Sequence, residues 1–528
     1  MDIASTDTPE NMFDDPDSNN PTAQVASPVS AVAGSGPAVS TFAPATGAHI
    51  ATVRQCTAQD VAQAFDRARR SQKRWAETDI VRRAELFLRL HDAVLANASL
   101  IDTVQAETGK SRYSAFEESL DVAGLALYYA RNARRFLRPR RRAGAIPLAT
   151  QVKELRVPKG VIGIVSPWNY PLSLGVCDVI PALLAGNAVV HKPDTQTILT
   201  ALQARELLIE AGLDEELWQI VTGEPDIVGD AMVANADHIC FTGSTKAGRQ
   251  IAESAARRLI GCTLELGGKN PMLILRDADL TKAAKGAVRA CFSSSGQLCI
   301  STERLFVDAE IYNEFLTLLV NRTRKLKLGK GTSFDYDVGS LTSQRQLDTV
   351  VRHVNEAKAK GAQVLSGGNI RPDLGPYFFE PTILEGVTPD MEVFASETFG
   401  PVVSVFKVAN DEEAVTRAND SEFGLNASIW TADAARGRKL AERLRCGTVN
   451  INEGYGSAYA SNDAPMGGMK ASGQGRRHGE HGILEYTELQ TVASQHFIGF
   501  DPPLGMSLQQ HARLLTFTYR LMKKCHIR

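Results

Sequence analysis

Along the chain the apolar positions follow two different spacings. From Thr57 to Ala98 and again from Leu100 to Phe136 they recur every three or four residues, as in VAQAFDRARRSQKRW and DVAGLALYYARNARRFL, which predicts helices. The pattern then tightens into short apolar runs: VIGIVS (161–166), AVVHKP (188–193), WQIVTG (218–223), HICFTG (238–243) and TLELGG (263–268). These read as buried strands, and helical spacing returns between them near 172–185, 198–212, 226–234 and 246–259. Strand and helix in strict turn predict parallel βαβ units with helices on both faces, an α/β fold. Ligands of such sheets sit outside the carboxyl ends of the strands, where PWN, KPD, TGE, TGS and ELGG all fall.

A second α/β block is expected from about Asn270 to Arg445, with helices near 279–293, 309–327, 343–360 and 411–419 and strands such as RLFVD and PVVSVFKV. A long turn-rich loop follows at 452–475, the kind of segment that usually carries function. Residues 1–38 are rich in Asp, Pro, Ser, Asn and Ala, so this arm is expected to be disordered or draped over the body. The tail 501–528 ends in ARLLTFTYRLMKKCHIR, a mixed apolar and basic helical pattern open to docking on the protein body, contact with another subunit or lying on an anionic membrane, of which docking is expected. No internal repeat is present.

Composition narrows the function classes. Lys and Arg number 58 against 60 Asp and Glu, so no whole-molecule field draws nucleic acid or an anionic membrane, and a small-molecule partner is expected. No apolar run is long enough to span a bilayer and the start lacks signal-peptide character, which gives a cytoplasmic expectation. The eight cysteines are scattered, with no CxxC pair or histidine at ligand spacing, so neither a metal site nor a disulfide framework is indicated.

Several short motifs carry candidate chemistry. FSSSGQLC (292–299) places Cys299 after Gly-Gln, where a thiol can stay open to substrate; a lone cysteine is more often a packed apolar residue. Glu265 in LELGGKNP is a candidate general base for water or a strand-end acid. Asn169 in PWNYP can donate to a developing oxyanion or serve as a turn residue. GSTKAG opens a helix with Gly243, Ser244 and Gly248, without the GxGxxG spacing of the dinucleotide fingerprint. ETFGPV offers Glu397 for ribose hydroxyls and Phe399 for packing on a nicotinamide, or equally a loop acid and a core aromatic.

The order and spacing of these motifs, from about residue 40 to residue 500, resemble the aldehyde dehydrogenase family. The resemblance implies a catalytic set of Cys299, Glu265 and Asn169. It implies cofactor contacts from Ser166, Pro167, Trp168, Lys192, Thr195, Gly243, Ser244, Gly248, Leu266, Glu397 and Phe399. The implied architecture is a Rossmann-like cofactor domain (39–139 and 159–266), an α/β catalytic domain (267–483) and a protruding oligomerisation hairpin (140–158 with 484–500). A homodimer or homotetramer follows from that hairpin. The implied reaction is oxidation of an aldehyde to an acid through a thioester on Cys299, with water activated by Glu265. A CoA-acylating relative generally lacks the glutamate of ELGGK, and a silent scaffold would lack the cysteine.

Departures from the family pattern bear on cofactor and substrate. NAD-preferring relatives commonly carry Glu where this chain has Thr195, so the repulsion of a 2′-phosphate is gone and NADP is expected ahead of NAD; Asp194 beside it tempers this. Two charges are reversed, Asp178 and Arg477 standing where many relatives have Lys and Glu, and an inverted ion pair is expected. HKPDTQT, CFSSSGQLCIS, GRRHG and DPPLG resemble the succinate-semialdehyde dehydrogenase subgroup, which implies a small aldehyde acid. Better-known members hold the distal carboxylate with arginines where this chain has Cys177 and Ser293, leaving Tyr170, Arg477, Tyr455 and Ser461, with Tyr459 and Asn462, as candidate substrate contacts. A broad-specificity or apolar-aldehyde dehydrogenase is the alternative.

Overall fold

The structure is a computed structural model that describes residues 29, 32, 34–145, 149–497 and 499–526. Most of the expected N-terminal arm therefore lies outside the described residues. Its last part is draped over the body: Gly36 N–H donates to the Gln55 carbonyl, and Ser35 bonds Asp60, the residue that closes the capping box of helix Ala58–Glu77.

Two α/β sheets and a smaller ribbon organise the chain. The first sheet runs Gly473–Gln474, Gly261–Glu265, His238–Thr242, Val161–Val165, Ala188–Lys192, Trp218–Ile220, parallel except for its first member. The second has seven strands, of which Val402–Val408, Thr302–Asp308 and Asn270–Ile274 form its centre. Its edge strand Gln363–Ser366 is antiparallel. The third sheet pairs Thr150–Pro158 with Thr487–Gln495 and Arg140–Arg142. Each large sheet buries its own apolar clusters, one drawn from residues up to Leu266 with Ile483 and Tyr486, the others from Met272 to Tyr455 with Tyr170.

Expected and observed elements agree closely where periodicity was strong, and depart where a single residue intervenes. The run expected as one helix over 172–185 is two short helices, Ser173–Val176 and Val179–Leu184. Pro181 has no N–H to offer the Cys177 carbonyl, so the ladder breaks there. The strand expected to reach residue 223 ends at Ile220. The tail does form a helix, Leu508–Lys524, but none of its residues is buried, so the expected docking on the body is not seen among the described residues.

Candidate active site

Cys299 follows a tight turn in which Ser294 and Ser295 adopt positive φ (50° and 57°) and Gly296 has φ 70°. A Cβ on Gly296 would stand 2.1 Å from the Gly400 carbonyl oxygen, so only glycine lets the cysteine loop lie against the Glu397–Pro401 loop. Cys299 keeps part of its surface open. Burial, reinforced by the facing carboxyls of Glu265 and Glu397, pushes its thiol up to about 12. The thiol therefore stays protonated until a base takes its proton as it attacks.

Glu265 ends its strand 5 % exposed, and its Oε1 has no hydrogen-bond partner among the described residues. Burial raises it to about 8, while the positive charge of Arg477 pulls it down. A buried carboxyl left unpaired is costly to the fold and is the state a general base needs. Asn169 is buried and donates through Nδ2 to the Gln297 carbonyl at 2.9 Å, and the same amide nitrogen carries a second N–H.

Two buried lysine–glutamate pairs, unforeseen in the sequence, hold the loops around this centre. Glu118 accepts the N–H groups of Leu172 and Ser173 at 2.9 and 3.0 Å and pairs with Lys110 at 2.5 Å. Lys110 also donates to the Asn169 carbonyl at 2.7 Å and lies 3.7 Å from the Tyr170 ring centroid. On the other side Glu303 accepts the N–H groups of Thr398 and Phe399 at 3.0 Å and pairs with Lys269.

The expected cofactor residues from Ser166 to Leu266 lie at or after the carboxyl ends of first-sheet strands, and Glu397 and Phe399 stand on the loop that leads into Val402–Val408 of the second sheet. Ser244 caps helix Thr245–Arg257, and a Cβ on Gly248 would meet Leu266 at 2.5 Å, so the helix N-terminus packs close to the ELGG turn. Glu397 accepts the Gly268 N–H at 2.8 Å, and a Cβ on Gly267 would meet its Oε2 at 2.4 Å. Trp168 and Phe399 meet edge to face at 5.6 Å. Ser166 bonds His191 at 2.7 Å. Lys192 is buried, which lowers its pKa, with the charges of Asp194 and Glu224 opposing that shift. The Asp194 carboxylate accepts the Gln196 N–H at 2.9 Å, and the Thr195 hydroxyl meets that of Thr222 at 2.9 Å.

Asp178 and Arg477 form the inverted pair: Nε to Oδ1 is 3.0 Å and Nη2 to Oδ2 is 2.5 Å, with Tyr486 donating to Asp178 at 2.9 Å. That fork leaves Arg477 engaged beside Glu265 and away from the cavity that the other candidate substrate residues build. Tyr170, Tyr455, Tyr459 and Asn462 line a cavity of about 350 Å³ with Leu298 and Ile300, the neighbours of Cys299. Ser461 is adjacent to this wall and is not part of it. Arg289, overlooked in the sequence, supplies the cavity's cation; it pairs with Glu117 at 3.0 Å and lies 5.8 Å from the Tyr455 ring centroid.

A thiol, an amide donor and an unpaired buried carboxyl between two α/β sheets are the parts of a covalent acyl-transfer site. The chain belongs to the aldehyde dehydrogenase family, whose model matches residues 32–492. It is 50% identical over 480 residues, 91% of this chain and 93% of the relative, to a Mycolicibacterium smegmatis protein named "Putative succinate-semialdehyde dehydrogenase, NADP(+)". It is 38% identical over 436 residues, 81% of this chain and 80% of the relative, to the 4,4'-diapolycopene aldehyde oxidase of Methylomonas. Among solved structures, the aldehyde dehydrogenase KauB of Pseudomonas aeruginosa is similar at TM-score 0.84 and 32% identity, covering 88% of this chain and 94% of that one. An NADP dependent enzyme of E. coli is similar at TM-score 0.84 and 32% identity, covering 87% and 95%.

Proposed function

We propose that this aldehyde dehydrogenase oxidises a small aldehyde acid of the succinate-semialdehyde type, with NADP preferred over NAD. The observation that supports the substrate class is Arg289, a guanidinium in the wall of the Tyr170–Tyr455 cavity. It stands one helical turn before Ser293, so it offers a carboxylate a partner where Ser293 has none. The relatives at 50% identity carry the same substrate and cofactor in their names.

The catalytic residues of this reading are Cys299, Asn169 and Glu265. Glu265 takes the thiol proton as Cys299 attacks the aldehyde carbon, and the oxyanion is held by the second N–H of Asn169 and the Cys299 backbone N–H. Bound nicotinamide supplies the acceptor for the hydride. Once Glu265 has passed that proton to solvent, it removes a proton from the water that opens the thioester and returns it to the departing thiolate, releasing the acid and the thiol. The residues fit such a cofactor: a helix N-terminus with glycine packing, the buried Lys192, and Glu397 and Phe399 on one loop. NADP is favoured in this reading because Asp194 is spent on its own turn and Thr195 carries no charge.

In this reading residues 39–139 and 159–266 form the cofactor unit, 267–483 the catalytic unit, and the ribbon of 140–158 with 484–500 joins subunits into a homo-oligomer. Exposed Leu489 and Val492 on that ribbon support the last point. A second reading, oxidation of apolar aldehydes, is favoured by the tyrosines of the cavity and by Glu117 and Asp121 in its wall, which oppose an anion.

The test is NADP reduction with purified protein across succinate semialdehyde and apolar aldehydes of similar length, repeated with Cys299→Ala. Turnover should favour the acid and fall at least about a thousandfold in the variant. Preference for apolar aldehydes overturns the substrate reading, and unchanged turnover in Cys299→Ala overturns the mechanism.

A further inference from the structure

The segment beyond the ribbon differs from the rest of the surface. Helix Leu508–Lys524 begins with a complete capping box between Ser507 and Gln510, and no residue in it is buried. Its formation is local, whereas nothing among the described residues covers it. At about 100° per residue, Leu508, Leu515 and Tyr519 fall along one line, and Met522, Leu514, Leu521 and Phe517 carry the apolar side on around the helix as far as the face opposite Leu508. Arg513, Arg520, Lys523 and Lys524 share the remaining side.

Two features decide what covers this helix. A helix packed on protein, its own or a second copy, hides a stripe a little over about 100° wide, but here the apolar side takes more than half the circumference. Phe497, Phe500 and Leu504 just before it are also exposed. The charge is one-signed as well: from Pro502 to Arg528 the chain has five Lys or Arg and no Asp or Glu, whereas the rest of the protein has 53 Lys or Arg against 60 Asp or Glu. An anionic lipid surface takes both parts together, bases at the phosphates and apolar side chains among the upper acyl segments. No helix among the described residues is long and apolar enough to cross a membrane, so the helix lies on the surface.

We infer that Leu508–Lys524 is an interfacial helix that holds the enzyme on anionic bilayers. The inference does not rest on the substrate reading. The test is flotation of the full chain with vesicles of phosphatidylcholine alone and of phosphatidylcholine with phosphatidylglycerol. Binding should be at least about tenfold greater on the anionic vesicles and weaken as salt rises. Phe517→Glu with Leu521→Glu should abolish it, and Arg513→Glu with Arg520→Glu should remove the preference for anionic lipid; both variants should oxidise a soluble aldehyde at the parent rate. Absence of flotation on either vesicle overturns the inference. So does a loss of oligomer mass by light scattering in the apolar variant while vesicle binding stays unchanged, which would assign the helix to a second copy.

Discussion

The loop Pro167–Pro171, which carries Asn169, and the loop Glu397–Pro401 lie around Cys299 and are held by one device. In each case a buried glutamate takes two consecutive backbone N–H groups at the loop and a buried lysine neutralises it. The loops differ in what else the lysine does. Lys110 also donates to the Asn169 carbonyl and rests on the Tyr170 ring, whereas Lys269 donates to Glu303. In the proposed mechanism the substrate-side lysine therefore sets the position of a reacting group directly. The cofactor-side lysine acts only through its loop.

Removing one lysine breaks that comparison most strongly. Lys110→Met or Lys269→Met leaves a buried carboxylate unpaired, and each should cost about 3–5 kcal/mol in chemical denaturation. Their kinetics should diverge. Lys110→Met lowers kcat because Asn169 loses its fixed position, while Lys269→Met raises the KM for cofactor because Glu397 and Phe399 lose theirs. Equal effects on kcat and cofactor KM in both variants would show that the two pairs are interchangeable scaffolding.

The inverted pair comes next. Asp178→Asn leaves Arg477 buried without its counter-charge, at a cost of about 3–5 kcal/mol. It also leaves Arg477 facing Glu265 unopposed, so the ionisation of Glu265 moves to lower pH. A double-mutant cycle with Asp178→Lys and Arg477→Glu should show coupling, the double variant being more stable than the two single losses summed.

Glu265 and Glu397 sharpen the comparison through pH. Burial raises both to about 8. An acid ionises above its pKa, so a base at Glu265 is available only as pH rises through that value. Aldehyde oxidation should climb between about pH 7 and 9 and then level. Glu265→Gln should remove the climb along with most of the rate, whereas Glu397→Gln should keep the climb and raise the KM for cofactor. Both folded pKa values lie above the ordinary carboxyl value. Ionising these groups therefore costs the fold, and their effect is to lower stability as pH rises from about 4.5 to 8.

Much of this arrangement was legible before the structure. Strands Val161–Val165, Ala188–Lys192 and His238–Thr242 fall where the apolar runs lie, because a parallel sheet buried on both faces leaves unbroken apolar segments. Cys299, Asn169 and Glu265 were singled out by motif order, and the structure brings them near one another. The lysine–glutamate pairs were not, since Lys110 and Glu118 read as ordinary polar residues near a helix. One signal was available: Glu118 sits in line with Ala115, Val122 and Ala126 on the buried stripe of its helix, an unusual place for a carboxylate. Arg289 gave no such signal, because only tertiary packing brings its helix face against Tyr455. The tail was misjudged because an apolar stripe says that something covers it, without saying what.

The smallest predicted effect concerns the cofactor side alone. Thr195 bonds Thr222 and carries no charge, and the neighbouring Asp194 carboxylate is turned back onto Gln196 N–H, so no free carboxylate is added there to repel a 2′-phosphate. Thr195→Glu restores one. A charge-assisted contact to a ribose hydroxyl gained, with repulsion of the phosphate, amounts to about 1–2 kcal/mol, or roughly a tenfold change in the ratio of kcat/KM for NADP over NAD. The aldehyde KM should stay constant, since the substrate-side loop and Lys110 are untouched. A preference that fails to move would place the discrimination elsewhere on the cofactor side, with Lys192 the next residue to change.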